Sequence, residues 1–242
     1  MRSVWTNEEV SPDQPLWRYL RAQWFVESVQ SRALHLPSAR QFEDPFEGAV
    51  AVLPHDWPVD PRYGELEHGD KAFEELRRLT KISCWHCADY ESDAMWKLYA
   101  ASRKGVAVRT TAARLQAALQ PFRLAPDYGE EEPFWGKIRY RDLHAERLRV
   151  GMEERFFIKH RAFEWEQEFR VVISVRMAEE FGVPVPAGGI DVSFDPAVLV
   201  ESAHLGPALS DSERAAIGDA CAAAGLGARL FTSTLLGRPR YT

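Results

Sequence analysis

The sequence predicts an α+β chain: a single domain of mixed and antiparallel sheets, with flanking helices around a cleft. Three observations carry that expectation. About nine short strand-like runs are interleaved with roughly five or six helical ones, without the regular alternation that a parallel βαβ sheet requires. The chain has 242 residues and is 45% hydrophobic, enough to bury one large core. It also lacks internal repeats and low-complexity tracts.

Residues 1–15 are polar around Pro12 and Pro15 and read as a lead-in, with the domain spanning 16–242. Leu16–Leu20 alternates as a strand, and 22–31 carries Trp24, Phe25, Val26 and Val29 at helical spacing. Leu34-His35-Leu36 precedes Pro37, and a residue before proline is pushed toward extended geometry. Arg40–Gly48 contains an Asp44-Pro45 step between two phenylalanines and reads as a rigid acidic turn. The stretch 54–69 is rich in proline, glycine and acids, without a period, and reads as a loop.

Residues 70–81 place Phe73, Leu76 and Leu79 on one helical stripe, and Ile82–Trp85 follows as a buried strand. Ser92 is placed to cap a helix through Tyr99 that Gly105 ends, before a strand at 106–108. An alanine-rich helix occupies 111–120, and 121–133 is rich in proline and acids. Lys137–Tyr140 alternates, and a helix is expected from about Leu143 to Arg161, with Met152, Phe156, Phe157 and Phe163 on its apolar side.

The chain then enters Phe163-Glu164-Trp165-Glu166-Gln167-Glu168-Phe169-Arg170 and the apolar run Val171–Val175. Read as one strand, this puts Glu166, Glu168 and Arg170 on a shared charged face and Phe169, Val171 and Ile173 on the other. A turn at 181–189 leads to a strand at 190–194, and Val198–Val200 reads as another strand. Ser210 and Glu213 form a capping box at the start of a helix, and a final strand lies near Arg229–Thr232.

The formal charge of -6 argues against a broad electrostatic grip on nucleic acid. No stretch reads as a signal peptide or membrane span, and three cysteines make no disulfide framework, so the expected setting is cytoplasmic. Cys84-Trp85-His86-Cys87 lacks the second ligand pair of a structural zinc site. Phosphate-binding glycine loops and a Gly-x-Ser-x-Gly elbow are absent.

The acids remain. Asp44, Glu47, Glu166 and Glu168 are the oxygen ligands a divalent metal would use in a phosphodiesterase or nuclease, and they equally suit a salt-bridged strand face with Arg170. Arg18 and Lys159 are the cations expected near the same cleft. Trp96 is either a stacking platform or core.

The ordered motifs Leu16-Trp17-Arg18-Tyr19, Phe42–Glu47, Ile82–Trp85, Met95–Tyr99, Lys104-Gly105-Val106, Lys159 and Trp165–Arg170 resemble the bacterial family labelled domain of unknown function 2971. The resemblance runs from about residue 16 to 235 and implies no activity. Arg18, Ser83 and Phe163-x-x-Glu166-x-Glu168 also resemble ADP-ribosyltransferases of the Arg-Ser-Glu class, although Cys84-Trp85 follows the serine where well-known members carry Thr-Ser.

That second resemblance implies ADP-ribosyl transfer or NAD hydrolysis with NAD as substrate, an unidentified acceptor and no metal, in a bacterial toxin or defence setting. Arg18 would bind the dinucleotide phosphates, Ser83 would shape the nicotinamide-ribose pocket, and Trp85 or Tyr99 would stack on nicotinamide. Glu168 would stabilise the oxocarbenium-like charge and Glu166 would orient the acceptor. A non-enzymatic module with a protein partner is the other expectation.

Overall fold

The structure, a computed structural model, describes residues 1–5, 10–52 and 70–235. The expected loop at 54–69 falls outside the described residues. Among the described residues the strands are β1 (Arg2–Ser3), β2 (Pro15–Arg21), β3 (Ala33–Pro37), β4 (Ala51–Val52), β5 (Thr80–His86), β6 (Gly105–Thr111), β7 (Phe134–Lys137), β8 (Arg139–Arg141), β9 (Arg149–Val150), β10 (Ile158–His160), β11 (Glu168–Ser174), β12 (Gly189–Ser193), β13 (Ser202–Leu205) and β14 (Leu230–Thr232). The helices are α1 (Ala22–Ser31), α2 (Asp70–Leu79), α3 (Asp93–Tyr99), α4 (Ala112–Ala118), α5 (Arg176–Glu180), α6 (Pro196–Leu199) and α7 (Asp211–Ala223). The class is α+β with mixed sheets, as the sequence predicts.

These elements form two compact units, each assembled from separated segments. The first comprises 1–10, 35–84 and 121–191, and the second 11–34, 85–120 and 192–242. Because the segments interleave, no composition shift along the chain marks a boundary.

In the first unit β7 pairs parallel with β1 and antiparallel with β11, and β11 neighbours β5. Its core gathers Trp5, Val50, Ile82, Ile138, Phe157, Ile158 and Val172. The first five residues are therefore not a loose lead-in: Val4 and Trp5 are buried, and the Trp5 indole donates to the Lys137 carbonyl at 2.8 Å. Gly136 makes this possible, since a Cβ there would come within 2.8 Å of Val4 Cγ1.

The helix expected over Leu143–Arg161 is replaced by β9, a 3-10 turn at Glu154–Phe157 and β10. Arg155, Phe156, Phe157, Ile158 and Lys159 are buried in succession, which a single helical stripe cannot satisfy. Upstream, Asp142 Oδ1 accepts the backbone N–H groups of His144 and Ala145 and closes a local turn in place of a helix.

In the second unit β2 pairs antiparallel with β6 along its whole length, β6 pairs antiparallel with β13, and β13 pairs parallel with β14. Helices α1 and α7 cover this sheet through Phe25, Val29, Ile217 and Cys221, packed on Val106 and Val108. The predicted caps form: Ser92 accepts from Met95, and Ser210 and Glu213 close a reciprocal capping box. Val198–Val200 is not a strand. Asp195 caps α6, with Pro196 preset for its first turn, and extended pairing starts only at Ser202. Among the described residues no helix is long and apolar enough to cross a membrane.

Candidate functional site

The first unit encloses a cluster of charged side chains at the mouth of β11. The segment before that strand is a 3-10 turn, Arg161–Glu166, closed by Gln167 in the left-handed conformation at φ 43°. Glu166 and Glu168 thus do not share a strand face through alternation, as the sequence reading had them. The left-handed residue redirects the chain between them, and a lysine from β10 draws the two carboxylates together.

Arg170 is wholly buried at the centre. Its Nη1 donates to Glu47 Oε1 at 2.6 Å and to the Phe156 carbonyl at 2.7 Å. Its Nη2 donates to Glu47 Oε2 at 2.9 Å and to Glu168 Oε2 at 3.0 Å. The paired contacts to Glu47 are the fork geometry that makes guanidinium–carboxylate bonds strong and directional.

Lys159 Nζ donates to Glu166 and lies 3.4 Å from Glu168 Oε2. Phe163 sits 4.7 Å from that ammonium, and the Phe42 ring 5.7 Å from the Arg170 guanidinium. The backbone is held as well: the Glu168 N–H donates to the Tyr140 hydroxyl at 2.8 Å, and the Glu168 carbonyl accepts from Ile138 at 2.8 Å.

Gly48, next to Glu47, has φ +70°, and a Cβ there would lie 2.5 Å from the Phe156 ring. Only glycine turns the chain there and lets that ring close over it.

The electrostatics follow from these contacts. Burial by itself would raise the Glu168 carboxyl, but the charges of Arg170 and Lys159, with hydrogen bonds from Arg170 and Cys84, outweigh it and hold the group down at about 2. Burial and the negative field of Glu168 push the Cys84 thiol well above its usual value, which keeps it neutral. Burial likewise raises the Tyr140 phenol, aided by the charges of Glu168 and Glu166.

Glu47, Glu166 and Glu168 set three formal negative charges against the two positive charges of Lys159 and Arg170, leaving the cluster net negative. Glu47 and Arg170 lie deep, at 1% and 0% exposure, whereas Glu166 and Glu168 retain 6%. The residual charge is therefore presented at the glutamate edge, in surroundings that exclude most water.

Of the other predicted residues, Asp44 is buried in its turn, where Oδ1 accepts the Phe46 N–H at 2.9 Å and Oδ2 has no hydrogen-bond partner among the described residues. Glu47 belongs to Arg170, so the four acids proposed for a divalent metal do not converge as one ligand set. Among the described residues no group of three or more His, Cys, Asp or Glu is arranged to hold a metal ion. Ser83 is fully buried on the portion of β5 that belongs to the first unit.

Arg18, Trp85, Trp96 and Tyr99 belong to the second unit. There the Arg18 guanidinium lies 5.6 Å from the centre of the buried Trp85 ring. Trp96 is core: 1% exposed, edge-on to Tyr19 and donating to Glu91 Oε2 at 3.0 Å. Tyr99 is an exposed ring on α3.

Sequence reasoning missed Tyr140, the Cys84 thiol and the Phe156 carbonyl as members of the cluster. An alternating Ile138-Arg139-Tyr140 signals a strand but not the residue its hydroxyl meets. Comparison with known proteins finds no matching family model, no matching curated protein and no matching solved structure.

Proposed function

We propose that this chain is an ADP-ribosyltransferase-like enzyme that uses NAD either to modify an acceptor or to hydrolyse it. The observation that carries the reading is the net negative, water-poor cluster whose ionised Glu168 is fixed in place by Arg170 and Lys159. Cleavage of the nicotinamide–ribose bond develops positive charge on the sugar, and a pre-oriented carboxylate that needs no reorganisation is the group that lowers such a barrier.

In this reading Glu168 is the catalytic carboxylate and Glu166, held by Lys159, orients the acceptor. Arg170 is a positioning residue. Ser83, in the same unit as Glu168, keeps the role that the resemblance implies, shaping the nicotinamide-ribose pocket. Resemblance to the domain of unknown function 2971 family and a part in bacterial conflict belong to the same proposal.

The test is incubation with NAD labelled in the nicotinamide ring, and separately in the adenylate, with and without bacterial lysate. Nicotinamide release is expected from the wild-type chain, with a loss of at least about 100-fold in Glu168→Gln. Glu166→Gln should retain more hydrolysis than transfer. Circular dichroism must show both variants folded, because Glu168 also pairs with Arg170. No nicotinamide release from the wild-type chain under either condition rejects the proposal.

A further inference from the structure

Elsewhere in the first unit, a cavity of about 410 Å³ opens between α2, the 128–134 segment, β11 and the start of α5. Its walls include Leu76, Phe134, Phe156 and Val172. Glu131 lines it too. The Glu131 N–H donates to the Phe122 carbonyl at 2.9 Å in an isolated antiparallel bridge, which fixes the backbone and commits the side chain to the interior.

Glu131 is only 9% exposed, and among the described residues its Oε1 has no hydrogen-bond partner. A buried carboxylate without partners is costly, and folded proteins normally satisfy such groups. The rim carries the exposed acids Glu130, Glu132 and Glu153, and the one lining cation, Arg176, is already engaged by Glu180. The charge balance of the lining is negative, and Leu76, Phe134, Phe156 and Val172 give it an apolar wall beside the hydroxyls of Thr80, Tyr128 and Ser174.

We infer that this cavity is a binding site for a small organic cation, a primary ammonium carried on an apolar body, with Glu131 as the counter-ion and hydrogen-bond acceptor. The volume falls within the range of small-molecule pockets. An ammonium supplies the donors that Glu131 lacks, while its hydrocarbon part replaces water against Phe134 and Val172. Burial without a partner pushes the Glu131 carboxyl up to about 7, which agrees with a group whose partner is external. This inference rests on no part of the NAD reading.

Isothermal titration of the purified full chain at about pH 8 with phenethylamine, and with its uncharged analogue 2-phenylethanol, tests it. The amine is expected to bind at least about tenfold more tightly than the alcohol, and Glu131→Gln should remove that preference. Met177→Trp, at the half-exposed edge of the cavity, should weaken both ligands by obstructing entry without touching the carboxylate. Equal affinity for amine and alcohol, an unchanged preference in folded Glu131→Gln, or no amine binding up to about 10 mM overturns the proposal.

Discussion

Glu168 and Glu131 are the same residue type, lie in the same compact unit and are almost equally withdrawn from water, at 6% and 9% exposure. They nevertheless titrate on opposite sides of the ordinary carboxylate value, Glu168 at about 2 and Glu131 at about 7. Burial penalises both. What separates them is company: Glu168 has Arg170, Lys159 and the Cys84 thiol, and Glu131 has no side-chain partner among the described residues. Depth alone therefore says little about the state of a buried acid, whereas the partner inventory decides it. The two sites also differ in what balances the acid: Glu168 is matched by cations of its own unit, and Glu131 by none among the described residues.

The largest way to break this contrast is to make Glu168 resemble Glu131. Arg170→Met strands Glu47 and Glu168 together and should cost about 3–5 kcal/mol in chemical denaturation. The double variant Glu47→Gln/Arg170→Met should recover a good part of that loss, because it removes one of the stranded charges. If the double variant is as unstable as the single one, the arginine acts through packing rather than charge.

A smaller effect, of opposite sign, is expected at the other site. The folded-state value of Glu131 lies above its unfolded value of 4.5, so the folded state prefers the protonated form. Its penalty is absent below pH 4.5, grows as the pH rises toward about 7 and is constant above that. Glu131→Gln should accordingly stabilise the chain by about 1–3 kcal/mol at pH 8 and by little at pH 4.

For Glu168 the window runs the other way. Its contribution is present above 4.5 and is lost as the pH falls toward about 2. Denaturation curves for wild type and Glu131→Gln that stay parallel across pH 4–8 would show that Glu131 is ionised at no cost, and the contrast would collapse.

The smallest change is expected one residue away. Glu130 is exposed and paired with Arg123 at 2.7 Å. Glu130→Gln should therefore shift stability by no more than about 0.5 kcal/mol at either pH, measured in the same experiment. A shift as large as that at Glu131 would mean that the whole acidic stretch, rather than one buried side chain, sets the local electrostatics.

How much of this was legible beforehand differs by element. Capping follows local chemistry, so Ser92 and the Ser210–Glu213 box could be read directly, as could the alternation of β2 and the apolar run of β5 and β11. The 143–161 region misled because Phe156, Phe157 and Ile158 fit a helical stripe about as well as a buried turn and strand when only spacing is available. At 163–170 the alternation holds for part of the stretch: Glu168 and Arg170 are two residues apart on β11 and bond directly, whereas Glu166 lies in the turn before the strand and joins them through Lys159. Glu131 left no signal at all in its Gly-Glu-Glu-Glu-Pro setting, where nothing in the sequence distinguishes it from the two acids beside it.

The α+β class, the positions of most strands and helix starts, and the stretch that holds the charged cluster follow from the order of residues alone. These depend on interactions within a few residues, such as side-chain periodicity, caps and turn chemistry. Which acid meets which cation, and that Glu131 turns inward beside two solvent-facing glutamates, were settled by the packing of the folded chain. Those outcomes depend on strands brought together from distant parts of the chain, and a carboxylate's charge state depends on what lies a few ångströms away in space rather than along the backbone.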